Sequence, residues 1–290
     1  VRYKDKEHLN GMIYEVPLAI HGDRATWNVY LPHDNEVRVE GIDVLKEHVS
    51  LELRRNGLTE IRVMPASGKG EATTIAFPEP VYSAWLSGNP EYEATTFRYS
   101  YTSLNRPTTL YEYSIETGET TTLKEQEVPS GFNPDDYTVE RLWATASDGV
   151  QVPMAIVYKN GLKKDGSNPA LIYSYGSYGA SSDVYFSTSM YSLIDRGFVY
   201  AIAQIRGGSD LGEQWYEDGK LLKKKNTFGD FIACSEQLIE QGYTSPDKLT
   251  AMGGSAGGLL MGAVVNERPD LYQAIVSQVP FVPQRSLVRC

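Results

Sequence analysis

The stretch MGGSAGG, residues 252–258, holds the pattern Gly253-x-Ser255-x-Gly257 between a run that predicts a strand and a run that predicts a helix. A serine hydroxyl can attack a carbonyl only if it stands clear of the backbone. The sharp turn that exposes it brings neighbouring chain segments too close for side chains at Gly253 and Gly257. The N–H of Ala256, at the start of the predicted helix, can donate to the oxyanion that such an attack creates. The pattern therefore predicts a nucleophilic serine at a strand-to-helix turn.

The chain around this motif alternates between strands and helices from residue 169 onward. Apolar runs predict the strands, and helical runs end at Gly197 and Gly242. The predicted strands are residues 170–175, 198–205, 248–252 and 274–279, and the predicted helices are residues 188–196, 228–241 and 256–267. This alternation favours a parallel sheet with helices on its faces.

Residues 1–130 instead consist of short β-prone runs separated by turn residues. Strands are predicted at residues 27–31, 37–40, 58–64, 96–102 and 110–115. Their rhythm is compatible with β-propeller blades of about 40 to 45 residues and equally with a β-sandwich. Proline, glycine, asparagine and aspartate concentrate in residues 127–137, which predicts a linker. We therefore expect two domains, residues 1–130 and residues 131–290.

Composition and charge narrow the class of protein. Of the 290 residues 41% are hydrophobic and 22% are charged, as in a globular protein, and we expect no membrane-spanning segment. The net charge of −10 argues against binding to nucleic acid. The two cysteines, Cys234 and Cys290, make neither a disulfide framework nor a zinc site. We expect a cytoplasmic protein without a metal or another cofactor.

Two further loops are predicted to reach the same edge of the sheet as the serine. The loop YSYGSYG, residues 173–179, follows the first strand of the α/β region. In an α/β hydrolase this loop supplies a second oxyanion donor, either a tyrosine hydroxyl or a backbone N–H. An aromatic turn without chemistry is the alternative. Residues 206–210 follow the next strand, and their glycines are also compatible with a simple turn.

The sequence does not supply an obvious general base for Ser255. In this fold the nucleophile is followed by an acid and then by a histidine. Glu267 and Asp270 lie in or just past the helix after Ser255, and no histidine follows. We expect the four histidines to be exposed turn residues and the lysine run at 223–225 to be a solvated face. The histidines are His8, His21, His33 and His48.

Longer segments resemble the prolyl oligopeptidase family of serine peptidases, in its oligopeptidase B branch. The similarity extends from about residue 95 to residue 282. Characteristic segments are RPTTLYEYSIETGE, YGSYGAS, GEQWYEDGKLLKKKNTFGDF and GGSAGGLLMGAVVNERPDLYQAIVSQVPFV. The resemblance implies the N-terminal part of an α/β-hydrolase catalytic domain preceded by the last blades of a β-propeller, roughly three of them.

The resemblance also assigns roles to single residues. Ser255 matches the nucleophile, Ala256 the residue whose N–H binds the oxyanion, and Tyr175 the tyrosine whose hydroxyl is the second donor. Asp183 matches one acidic residue of the substrate pocket, whereas Tyr185 stands where the family has a second acid. The resemblance implies hydrolysis of short peptides after arginine or lysine through an acyl-enzyme. In the family, the carboxylates that select the residue before the scissile bond lie beyond the end of this chain.

The resemblance ends at Val282, because members of the family continue there toward a catalytic aspartate and histidine. Residues 283–290 match no pattern of the family. We therefore expect an internal or C-terminally truncated piece that lacks this aspartate and histidine and is inactive alone. Two other hypotheses stay open: a non-catalytic fragment that binds a partner through its propeller, and an esterase of the same fold.

Overall fold

The computed structural model describes residues 1–280, and the chain divides into two compact units. The first unit comprises Val1–Glu127 together with Leu211–Gln214. The second comprises Val128–Asp210 and the described residues from Trp215 onward. The sequence pattern does not indicate that Leu211–Gln214 groups with the first unit. The predicted departure from the family pattern lies outside the described residues.

The first unit contains three antiparallel sheets that follow one another along the chain. The strands are β1 (Arg2–Tyr3), β2 (Met12–Glu15) and β3 (Asn28–Leu31) in the first sheet, β4 (Val37–Val44), β5 (His48–Arg55), β6 (Leu58–Pro65) and β7 (Thr73–Thr74) in the second, and β8 (Ser83–Leu86), β9 (Thr96–Ser103), β10 (Arg106–Ser114) and β11 (Thr120–Glu125) in the third. Within each sheet every strand pairs with its neighbours in sequence, so the predicted succession of short strands and turns is confirmed.

Strand β5 is not among the strands predicted from the sequence, because its buried residues do not alternate with exposed ones. Leu51 and Leu53 are fully buried, as the pleat of a strand with one face on a core requires. Arg54, on the opposite face, is also buried because its Nε donates to Oε1 of Glu40 at 2.7 Å. This pairing offsets the cost of removing the charge from water.

The second unit is built on one six-stranded sheet in the order β12-β13-β15-β14-β16-β17. Its strands are β12 (Tyr137–Thr145), β13 (Gln151–Lys159), β14 (Ala170–Tyr173), β15 (Val199–Ala203), β16 (Leu249–Gly254) and β17 (Ala274–Gln278). The last four strands are mutually parallel, and β12 and β13 add an antiparallel hairpin. The predicted parallel sheet is therefore confirmed.

Helices connect the parallel strands, as predicted. The α-helices within the described residues are α1 (Thr188–Ile194), α2 (Glu213–Glu217), α3 (Lys225–Glu240) and α4 (Ala256–Glu267). Helix α2 is not predicted from the sequence, because it is too short to show a helical period. No helix within residues 1–280 has the length and hydrophobicity needed to cross a membrane.

Two glycines of α4 provide a matched test of its packing. A Cβ added at Gly262 would meet no atom within 4 Å, whereas one added at Gly258 would lie 2.5 Å from Cα of Pro280. We expect Gly262→Ala to raise the free energy of unfolding by up to about 1 kcal/mol, because alanine favours the helix. Gly258→Ala should lower it by about 1–3 kcal/mol through overpacking. Urea denaturation of both variants checks this, and similar changes in the two would contradict the packing of α4.

Candidate active site

Ser255 lies at a strained turn between β16 and α4. Its backbone has a φ of 53° and a ψ of −114°, a region that residues other than glycine rarely adopt. Such a conformation costs on the order of 1–3 kcal/mol and persists only where the surroundings enforce it. The Ser255 N–H donates to the Gln278 carbonyl at 2.9 Å, and the serine is exposed. The predicted turn is therefore confirmed.

The glycines on both sides of Ser255 are required by close contacts between backbones. A Cβ at Gly253 would lie 2.4 Å from the carbonyl oxygen of Gly257. A Cβ at Gly257 would lie 2.8 Å from the carbonyl oxygen of Ser174, in the loop that follows β14. Both distances are too short for real atoms, so the predicted exclusion of side chains at these positions is confirmed.

Tyr175 reaches the edge of the sheet at which Ser255 lies. Strands β14 and β16 are parallel neighbours, with Tyr173 beside Met252. Tyr175 follows β14, and its ring atom Cδ2 lies 3.7 Å from the position of a Cβ at Gly257. The tyrosine therefore packs beside the turn that carries the serine. Its role as an oxyanion donor stays a prediction.

Ala256 is the first residue of α4. The first N–H groups of a helix have no acceptor within the helix, so the Ala256 N–H is available at this end. Ala256 is buried and lines a cavity of about 370 Å³, a volume in the range of small-ligand sites. Other residues that line the cavity include Ser177, Tyr178, Tyr216, Lys224 and Leu259.

The loop that begins at Arg206 is anchored by a buried ion pair. The Arg206 guanidinium binds Asp230 through Nε at 2.9 Å and Nη2 at 2.6 Å, and Asp148 through Nη1 at 2.6 Å. A Cβ at Gly207 would lie 2.2 Å from the carbonyl oxygen of Gly176. Gly207 is therefore needed for the contact between this loop and the one that follows β14.

Asp183, the predicted substrate-binding residue, lies between β14 and α1. It is half-buried, and Tyr185 is exposed. The N–H of the preceding Ser182 donates to Oδ1 of buried Asp210 at 2.7 Å, which ties this loop to the one that begins at Arg206. A role for Asp183 in binding substrate stays a prediction.

All four histidines belong to the first unit. His21 is exposed, as expected, but His48 begins strand β5, so its assignment to a turn is wrong. His8 and His33 are half-buried, with ring centroids 5.3 Å apart in an edge-to-face contact. These two histidines pack against each other and are not the exposed residues that the sequence suggests.

The acidic residues after Ser255, Glu267 and Asp270, make no hydrogen bond with its hydroxyl. Glu267 is the last residue of α4, and Asp270 binds Arg268, which helps to lower the pKa of its carboxyl. Within residues 1–280 the Ser255 hydroxyl has no hydrogen-bond partner. The same part of the chain holds no cluster of side chains suited to a metal ion.

Lys224 does not belong to a solvated face, in contrast to the expectation for the lysine run. Lys223 and Lys225 are exposed, whereas Lys224 is half-buried. Its Nζ donates to the Gly176 carbonyl at 2.5 Å and to the Ser177 hydroxyl at 2.7 Å. Burial lowers the pKa of Lys224 to about 8. Three adjacent lysines have the same chemistry, so the sequence could not single out this one.

The pKa of Lys224 can be tested by its titration. A lysine in an unfolded chain has a pKa of about 10.4. Between about pH 8 and this value, the Lys224 side chain keeps its proton in the unfolded chain but has lost it in the folded chain. In this window Lys224 makes the free energy of unfolding rise with pH. We expect a ¹³Cε NMR signal with a midpoint near the lowered pKa that disappears in Lys224→Arg. A midpoint above 10 for that signal would contradict the burial of the ammonium.

Two family profiles match the chain. The description "Prolyl oligopeptidase, N-terminal beta-propeller domain" matches residues 2–126, and "Prolyl oligopeptidase family" matches residues 184–287. These matches confirm the predicted architecture, a propeller region followed by an α/β-hydrolase region.

Named relatives agree with the profiles. The chain is 46% identical over 260 residues to dipeptidyl aminopeptidase BI of Pseudoxanthomonas mexicana, a match that covers 89% of this chain and 36% of that protein. It is 44% identical over 229 residues to protease 2 of Moraxella lacunata, which covers 79% of this chain and 33% of that protein.

A solved structure of similar fold is oligopeptidase B from Leishmania major. It superposes with a TM-score of 0.89 at 40% identity, covering 96% of this chain and 40% of that one. The chain thus spans roughly a third to two fifths of the length of these relatives. On the profiles, the relatives and the fold together, the chain belongs to the prolyl oligopeptidase family of serine peptidases.

Proposed function

We propose that this chain carries the nucleophile and the oxyanion-binding groups of a serine oligopeptidase that cleaves short peptides after arginine or lysine. The observation that carries the proposal is the strained, exposed Ser255 with Tyr175 packed beside its turn. A serine held at a positive φ at the carboxyl edge of a parallel sheet is the arrangement of a nucleophile elbow. The propeller region is residues 1–130 in this proposal, and the catalytic region is residues 131–290.

The proposed reaction proceeds through an acyl-enzyme. The Ser255 Oγ forms a bond to the carbonyl carbon of the substrate, and the carbonyl electron pair moves onto its oxygen. The Tyr175 hydroxyl and the Ala256 N–H donate to this oxyanion, and one such donor is worth about 2.7–4 kcal/mol in the transition state. Collapse breaks the C–N bond and releases the protonated amine, after which water attacks the ester and frees Ser255.

The proton from the Ser255 hydroxyl requires a general base, which later gives a proton to the leaving amine. The sequence has no histidine after His48, and its four histidines belong to the first unit. We place the catalytic histidine and its aspartate on polypeptide outside these 290 residues. The chain alone then lacks the base and is inactive.

Asp183 supports the binding of basic peptides. It is half-buried in the loop that leaves the same edge of the sheet as Tyr175, where a carboxylate could pair with a substrate ammonium or guanidinium. The net charge of −10 would also draw basic peptides toward the protein. We place this activity in the cytoplasm, with no nucleic acid, membrane or cofactor involved.

Labelling with a fluorophosphonate tests the proposal. The extended protein is defined as this chain continued beyond residue 280 by the remaining catalytic segment. Its coding sequence is read from the transcript. Alternatively, residues 1–280 are joined to the catalytic segment that follows the equivalent position in the Moraxella lacunata protease 2. We expect mass spectrometry to find the label on Ser255 of the extended protein. The 290-residue chain should react at least about 100-fold more slowly, because it lacks the base.

Two serine variants and two substrates complete this experiment. Ser255→Ala in the extended protein should abolish labelling, and Ser189→Ala, at an exposed position in α1, should leave it unchanged. An amide ending in arginine should be hydrolysed in preference to a short acyl ester. Rapid labelling of the 290-residue chain would refute the proposal that it lacks the general base. Labelling at another residue would refute the assignment of Ser255 as the nucleophile. A preference for the ester would favour an esterase.

A further inference from the structure

Lys224 places an ammonium group against the loop that carries Tyr175. Its Nζ donates to the Gly176 carbonyl at 2.5 Å and to the Ser177 hydroxyl at 2.7 Å, and these are the two residues directly after Tyr175. Both acceptors are neutral. Among the described residues 1–280 no carboxylate pairs with this ammonium. Half-burial of an unpaired ammonium costs free energy, and this cost calls for a functional or structural reason.

The segment held by Lys224 is confined on its other sides as well. Gly176 has a φ of 64°, and a Cβ there would lie 2.6 Å from Cγ2 of Thr227 and 2.7 Å from Cδ1 of Ile205. The Tyr175 ring packs toward Gly257 in α4. Lys224 therefore fastens the middle of the loop, between the backbone hydrogen bonds made by Ser174 and by Gly179.

The position of this loop determines where the Tyr175 hydroxyl lies. An oxyanion donor acts only when it lies about 2.7–3.1 Å from the oxygen that develops charge. A displacement of about 1 Å in a reacting group can cost about 100-fold in rate. Tyr175 directly precedes Gly176 and Ser177, the two residues that Lys224 binds, so a shift of these residues moves the tyrosine.

We propose that Lys224 is a positioning residue, whose ammonium holds the Gly176–Ser177 segment so that the Tyr175 hydroxyl stays where the oxyanion forms. This inference rests on the proposed roles of Ser255 and Tyr175. Lys224 itself does not touch the reacting atoms. Its contribution passes through Tyr175, and this dependence distinguishes it from a residue that only stabilises the fold.

The test uses the extended protein and the amide that ends in arginine. Lys224→Met should lower kcat about 10- to 100-fold and change KM by less than about threefold, because the lost interaction acts in the transition state. Lys224→Arg should recover most of the loss. Lys225→Met is the matched control, since this neighbouring lysine is exposed and its removal should leave kcat unchanged.

A double-mutant cycle separates positioning from general stabilisation. Tyr175→Phe alone should lower kcat about 100- to 1,000-fold, as for other oxyanion donors. Adding Lys224→Met to Tyr175→Phe should then lower kcat by less than about twofold, because the hydroxyl that Lys224 positions is already absent. Thermal melts of all variants check that they are folded, and Lys224→Gln replaces Lys224→Met if the latter is not.

The outcomes distinguish this inference from the proposed function. An unchanged kcat in folded Lys224→Met, or a full additional loss in the Tyr175→Phe background, would overturn the role of Lys224. Activity that survives Ser255→Ala would instead overturn the proposed function. If Ser255→Ala is inactive and Lys224→Met has the wild-type kcat, the role of Lys224 is refuted and the proposed function stands.

Discussion

Direct contact between backbones at the carboxyl edge of the six-stranded sheet determines where the candidate catalytic groups, Ser255 and Tyr175, lie. A Cβ at Gly257 would collide with the Ser174 carbonyl oxygen, and one at Gly207 with the Gly176 carbonyl oxygen. A Cβ at Gly219 would lie 2.0 Å from the Gly207 nitrogen. The loops after β14, β15 and β16 therefore approach more closely than any side chain allows, and this approach brings Tyr175 beside the turn of Ser255.

Two cations, buried Arg206 and half-buried Lys224, hold these loops in place. Arg206 is 5% exposed and fastens the start of its loop to Asp230 in α3 and to Asp148. Loss of one partner of such a buried pair typically costs about 3–5 kcal/mol, because the other charge is left without compensation. Lys224 acts on the neighbouring loop through neutral acceptors. Lys224 directly precedes α3 and Arg206 binds Asp230 within α3, so this helix anchors both loops.

The sequence predicted the elements whose signal is local. Glycine spacing predicts the turn at Ser255, and continuous apolar runs predict the parallel strands. Both signals lie within one short segment and do not depend on residues distant in sequence. Strand β5 was missed because Arg54 is buried only by virtue of its pairing with Glu40. The half-burial of Lys224 likewise depends on Gly176, which is distant in sequence. Ion pairs and hydrogen bonds between residues distant in sequence leave no periodic trace, so the sequence does not predict these features.

The proposed mechanism requires that Tyr175 and Ala256 bind the oxyanion that forms when Ser255 attacks. A crystal structure of the extended protein with a fluorophosphonate bound covalently to Ser255 tests it most directly. The phosphonyl oxygen stands where the oxyanion would form. We expect it within about 2.7–3.1 Å of the Tyr175 hydroxyl and of the Ala256 nitrogen. A phosphonyl oxygen directed into solvent, or a Tyr175 ring turned away from it, would contradict the account.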